Sequence, residues 1–172
     1  MKKDNWIYKV FFITFILAAA FSGLSNIISE KFNSLILTLI IILVTGIGIV
    51  FDMIGTSVLT AEEKNFHAKS SRKIKGAKES IAIIKNSVNI ANICNDIIGD
   101  ICGIVSGGLG AVLAINLSIQ FNFNLTITTI IVSSIISSLT VGGKAIFKGI
   151  ATKKCDNIIM FVGKILSLFK RK

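Results

Sequence analysis

No proline occurs in the 172 residues, so none of the helices is kinked or broken by one. Acid is scarce: nine Asp and Glu stand against nineteen Lys and Arg, a formal charge of +10. Cysteine is limited to Cys94, Cys102 and Cys155, with no C-x-x-C pair. That excludes a disulfide framework and a cysteine-held zinc site. The single histidine, His67, has no second His or Cys to complete a site and reads as a solvated surface residue. No nucleophile–base constellation and no glycine-rich phosphate loop is present. An enzyme is not expected.

What the chain has in excess is apolar sequence. Hydrophobic residues make up 52% of it, and the mean hydropathy is +0.78, outside the range of an ordinary soluble domain. Four apolar runs stand out, near 10–28, 35–59, 97–117 and 125–141. Each approaches the ~20 residues that a helix needs to cross the hydrocarbon core. The length suits one compact bundle, with no room for a separate soluble domain.

Charge orients the bundle. Basic residues precede the first run (Lys2, Lys3, Lys9), fill the segment between the second and third (Lys64 to Lys85), and cluster from Lys144 to the C-terminus. The opposite side holds only Lys31. Cytoplasmic loops carry the excess of Lys and Arg, so both termini and the middle segment are expected in the cytoplasm of a plasma membrane, in a bacterial cell. Attraction to anionic lipid accounts for the positive charge. No groove-reading motif accompanies it, so no nucleic-acid partner is expected. The basic start and Ala18-Ala19-Ala20 leave open a second reading of residues 1–34, a cleavable signal peptide. Asp4 and the apolar stretch up to Ile28 favour an extra transmembrane helix.

The core is expected over 35–154. Within it, Thr60-Ala61-Glu62-Glu63 has the form of a capping box. Phe66, Ile74, Ala77, Ile81 and Ile84 then recur at roughly helical spacing. With Ser70-Ser71 as a break, 62–86 reads as two short amphipathic helices on the cytoplasmic leaflet, the alternative being a solvated basic loop. The helix from Ser87 to Leu117 would be about 46 Å long, more than the hydrocarbon requires. Gly99, Gly103 and Gly107 repeat every fourth residue, the spacing at which small residues let helices pack closely in lipid. Residues 155–172 read as an interfacial amphipathic helix with Ile158, Phe161, Val162, Ile165 and Phe169 on one side. Lys170-Arg171-Lys172 would anchor it to anionic headgroups.

Ionisable groups within membrane spans are costly, and each is a functional candidate. Asp52, Asp96 and Asp100 qualify. Carboxylate and hydroxyl oxygens suit a hard divalent cation, so Asp52 and Asp100, supported by Thr56, Ser57 and Ser106, form the candidate metal site. Asn92 and Asn95 could add neutral oxygens. Asp96 is a further candidate ligand, read more readily as a headgroup-level residue that hydrogen-bonds neighbouring helices. Lys144, near the inner end of the fourth run, either snorkels to the cytoplasm or pairs with Asp96 or Asp100, which would replace a metal by a salt bridge.

At these residues the chain resembles the transmembrane domain of the cyclin M / CorB–CorC magnesium transporters. Phe51-Asp52-Met53-Ile54-Gly55-Thr56-Ser57-Val58 stands in the register of a family F-F-S-G-S-E-T-A-L motif. Ile98-Gly99-Asp100-Ile101-Cys102 matches L-G-N-N-L, and Gly143-Lys144-Ala145-Ile146-Phe147-Lys148 matches G-E-I-L-P-K. The similarity covers roughly 35–168. It implies a homodimer that carries Mg²⁺ or Co²⁺ between its helices, with no other cofactor. It also departs from the pattern: Gly55 and Lys144 replace two family glutamates, Asp100 replaces an asparagine, and Phe147 replaces a proline. Asp52, one turn from Gly55, would restore a carboxylate to nearly the same face. The family's nucleotide-binding CBS module has no counterpart in these residues, which leaves a separate cytoplasmic regulatory subunit as a possible partner beside the lipid bilayer.

The expected fold is therefore an all-α integral membrane bundle: four transmembrane helices, a cytoplasmic amphipathic pair and a C-terminal interfacial helix. Three functions follow from it. The first is divalent-cation transport. The second is a non-transporting scaffold or regulatory relative, its former ion site closed by Lys144. The third is a small cationic pore-former or immunity-type protein, against which the patterned motifs argue.

Overall fold

The computed structural model describes residues 33–169 and eight positions between 8 and 23. A continuous first span over 10–28 and the basic tail 170–172 lie outside them. The described elements are helical: α1 (Ser34–Thr60), α2 (Glu63–Ser71), α3 (Ala77–Lys85), α4 (Ser87–Asn92), a π-helical segment (Ile93–Gly99), α5 (Asp100–Phe121), α6 (Leu125–Lys153) and α7 (Cys155–Phe169). Among the described residues three stretches are long and apolar enough to cross a membrane: Ser34–Thr60, Ser87–Phe121 and Leu125–Lys153. They are compatible with a multi-pass membrane protein.

The chain divides into two compact units. One combines the described residues up to Gly48 with Asp100–Gly142. Its core is a seam of Leu37 and Ile41 from α1, Leu109, Leu113 and Ala114 from α5, and Val132 from α6. The four-residue spacing in α1 and α5 places each set on one helix face. Gly110 is a point of close approach, where the space of a side chain is taken by Ile136. Among the described residues nothing lies within 4 Å of where a side chain at Gly103 or Gly107 would begin. Asn122, at φ 53°, ends α5, and Phe123 N–H donates back to Ser118 O at 3.1 Å. That bond closes the last turn in the Schellman manner. Asn124 then caps α6, its Oδ1 accepting from Thr126 N at 2.9 Å.

Many hydroxyls of the apolar helices are satisfied within their own turns, whereas Thr45 Oγ1 of α1 is buried with no partner among the described residues. Thr38, Thr128, Thr129 and Thr140 each donate to the carbonyl four residues earlier, and Ser133 and Ser138 to the carbonyl three earlier. A hydroxyl that returns its proton to the helix backbone can face lipid at little cost. This explains how α6 tolerates so many Ser and Thr.

The second unit combines Ile49–Gly99 with Gly143–Lys172. Val58, Ala61, Phe66, Ala77, Ile83, Ile159 and Met160 form its core. Phe66 is fully buried, with the Lys69 ammonium 4.9 Å from its ring centroid. The α2–α3 turn uses two left-handed residues, Lys73 (φ 54°) and Gly76 (φ 88°). Helix α7 lies against α3 through glycine. A side chain at Gly163 would run into Ser80 Oγ and the Gly76 carbonyl. Ser80 Oγ sits 2.8 Å from Gly76 O and 3.1 Å from Ile159 O, sharing its proton between the two helices.

Candidate functional site

The polar centre of the second unit is Asp52, on α1. It is 5% exposed. Two ammonium groups flank it, Lys144 Nζ 3.8 Å from Oδ1 and Lys148 Nζ 3.8 Å from Oδ2. The lysines are four apart on α6 and so share a face. A close approach at Gly143 brings that face in, the space of its missing side chain being taken by Ile49 of α1. Lys144 also passes Gly99: its Nζ would lie 3.6 Å from a side chain's first carbon there. At 3.8 Å these are ion pairs rather than hydrogen bonds. A buried carboxylate is tolerated where opposite charge compensates the loss of water.

Beside this cluster lies Asn95, on the π-helical segment. Its amide occupies the space where a Gly55 side chain would project. Oδ1 of Asn95 is buried and has no hydrogen-bond donor among the described residues. A π-helical insert shifts side-chain directions within a helix and is frequent at functional positions. Substitution tests the geometry directly. Gly55→Ala must displace the Asn95 amide and is expected to cost about 1–3 kcal/mol as overpacking, read as a lower unfolding temperature in detergent.

The other expected site residues fall differently. Thr56 Oγ1 donates to Asp52 O at 2.9 Å and Ser57 Oγ to Met53 O at 2.8 Å, so both protons return to the α1 backbone. Both belong to the same unit as Asp52. Asp96 is exposed on the π-helical segment. Asp100 and Ser106 belong to the other compact unit. Asp100 is exposed, while Ser106 is buried and donates to Gly103 O at 3.1 Å.

As arranged, the residues around Asp52 do not fit a dication. Among the described residues no group of three or more His, Cys, Asp and Glu gathers. The two lysines outweigh the single carboxylate. Two unit charges 4 Å apart repel by about 4 kcal/mol at an effective dielectric of ~20, and a dication doubles the figure. Lys148 is the residue that sequence reasoning missed. Its signal was its position one turn beyond Lys144.

Beyond the spans the charges are ordinary. His67 Nε2 lies 2.9 Å from Glu63 Oε1, one turn away. Lys64, 2.6 Å from Glu62, has its pKa raised by that hydrogen bond first and by the carboxylate charge second. Both partners are exposed and the pair is screened by water.

Comparison with family profiles, with curated proteins and with solved structures finds no match for this chain.

Proposed function

We propose that this chain is a multi-pass membrane protein of the cyclin M / CorB–CorC kind whose cation locus has become an internal ion pair. On this reading it is a non-transporting scaffold or regulatory subunit. The observation that carries it is Asp52 held between Lys144 and Lys148. An ammonium at that point supplies the positive charge that a bound cation would otherwise bring. Lys144 stands where the family motif has a glutamate, so the substitution both removes a ligand and fills its place.

The arrangement in the membrane follows from the charges. Four spans, the first over 10–28, leave both termini and the 62–86 segment in the bacterial cytoplasm. A homodimer and a separate cytoplasmic partner belong to the same reading, through the resemblance.

Calorimetry of the purified protein tests it. No heat of Mg²⁺ or Co²⁺ binding is expected, and neither ion should raise the unfolding temperature. Lys144→Ala should lower that temperature without creating a metal response. Saturable Mg²⁺ binding to the unmodified protein would overturn the proposal.

A second reading, divalent-cation transport, is favoured by one feature: the unpartnered Asn95 Oδ1 beside Gly55. A buried carbonyl oxygen without a donor is the neutral ligand a hard cation prefers. Lys144 would then act as a gate that leaves Asp52 when the ion arrives. That reading requires metal-dependent stabilisation that Asp52→Asn weakens.

A further inference from the structure

The α2–α3 turn and the last turns of α7 flank an open cavity of about 410 Å³ that plays no part in the Asp52 cluster. Lys73, Lys75 and Lys78 line it, and the Ser70 hydroxyl adds a further donor. Glu79 is the one carboxylate on the lining, against three ammonium groups. Among the described residues none of these lysines has an acidic partner within ion-pair distance, unlike Lys64, Lys85, Lys144 and Lys148. The charge faces outward, toward something the chain itself does not supply.

Apolar side chains complete the cavity. Ile74 and Leu168 lie on its lining, and Leu168 is 73% exposed. Phe161, one heptad earlier on α7, is 65% exposed and so continues the same stripe. Such a stripe is unfavourable in water and suited to acyl chains.

Both walls are tied closely to membrane-crossing helices. Helix α1 ends at Thr60 and α2 begins at Glu63; α6 ends at Lys153 and α7 begins at Cys155. On the proposed arrangement, in which these amphipathic helices lie along the cytoplasmic surface, the cavity sits at the level of the lipid headgroups. Phosphate chemistry and hydrocarbon are therefore needed together, at the membrane surface.

We propose that this cavity binds an anionic phospholipid, its headgroup phosphate held by Lys73, Lys75 and Lys78 and its acyl chain lying on Ile74 and Leu168. A lipid so placed joins the α2–α3 turn to the end of α7.

Native mass spectrometry of the full chain released from detergent tests this, with phosphatidylglycerol and phosphatidylcholine offered in equal amounts. Retention of phosphatidylglycerol over phosphatidylcholine is expected. One lysine near an anionic surface is worth about fivefold in affinity, so Lys73→Gln/Lys75→Gln/Lys78→Gln should lose at least ~10-fold. Lys64→Gln/Lys153→Gln/Lys154→Gln removes the same charge elsewhere and should retain the lipid. Leu168→Gln should weaken retention while leaving all the lysines, and it decides the matter if the triple variant does not fold. Excess inorganic phosphate should not displace the lipid. Equal retention of the two lipids overturns the proposal, as does an undiminished signal in the cavity variants. Full displacement by inorganic phosphate overturns it in favour of a free-phosphate site.

Discussion

Gly163→Ala is expected to lower stability by about 2 kcal/mol, although alanine is the better helix former by ~1 kcal/mol. The sign is set by what the new methyl group meets. At Gly163 it runs into the Ser80 hydroxyl and the Gly76 carbonyl. The carbonyl is backbone, and Gly76 sits at φ 88°, a conformation that glycine adopts freely and other residues rarely do. The turn has little room to retreat. Helix α7 must instead lift from α3, loosening the Ser80 contact to Ile159 O. Gly149→Ala supplies the comparison, because among the described residues nothing lies within 4 Å of a methyl group there. That variant should keep the helix-propensity gain. Thermal unfolding in detergent should move the two variants in opposite directions, and limited proteolysis should open α7 in Gly163→Ala alone. Equal shifts would mean that α7 does not rest on this contact.

The double variant Lys144→Ala/Lys148→Ala is expected to cost about 3–5 kcal/mol, the penalty for leaving a buried charge without a partner. Either single change should cost much less, since one ammonium still faces Asp52. Adding Asp52→Leu to the double variant removes the stranded carboxylate. It should recover at least half of the loss, because replacing a whole buried ion pair by apolar groups is often close to neutral. Non-additivity across the set, measured by denaturation in one detergent, gives the coupling directly. If the double variant loses no stability, the lysines are not compensating Asp52 and the proposed closed site fails.

Much of this molecule could be read before its fold was known, and the reason is local chemistry. Apolar runs of membrane-crossing length at 35–59, 97–117 and 125–141 stand inside the three long helices. The break assigned to Ser70-Ser71 is where α2 ends. The glycine stripe was less informative. Its period is visible in the sequence, but whether a given glycine touches another helix depends on how the helices are rotated. Close approach falls at Gly110 rather than at Gly103 or Gly107.

The polar residues show the same division. Asp52 stands out as an acid in an apolar helix, which needs only its neighbours in sequence. Its pairing with Lys144 and Lys148, about ninety residues away, comes from the approach of α1 and α6 at Gly143 and Ile49. A lysine four residues from another can equally snorkel to water, and only a nearby carboxylate decides which way it turns. The π-helical segment carries no signature in residue type, yet it presents the Asn95 amide at Gly55.

Composition by itself therefore determined a helical, membrane-compatible chain with a strong excess of positive charge, because hydropathy and charge are properties of each segment alone. Which charges neutralise one another, which glycines admit a neighbour and which amide oxygen is left without a donor were decided by tertiary structure. Those are distances between helices far apart in the chain, and no single stretch of sequence encodes them.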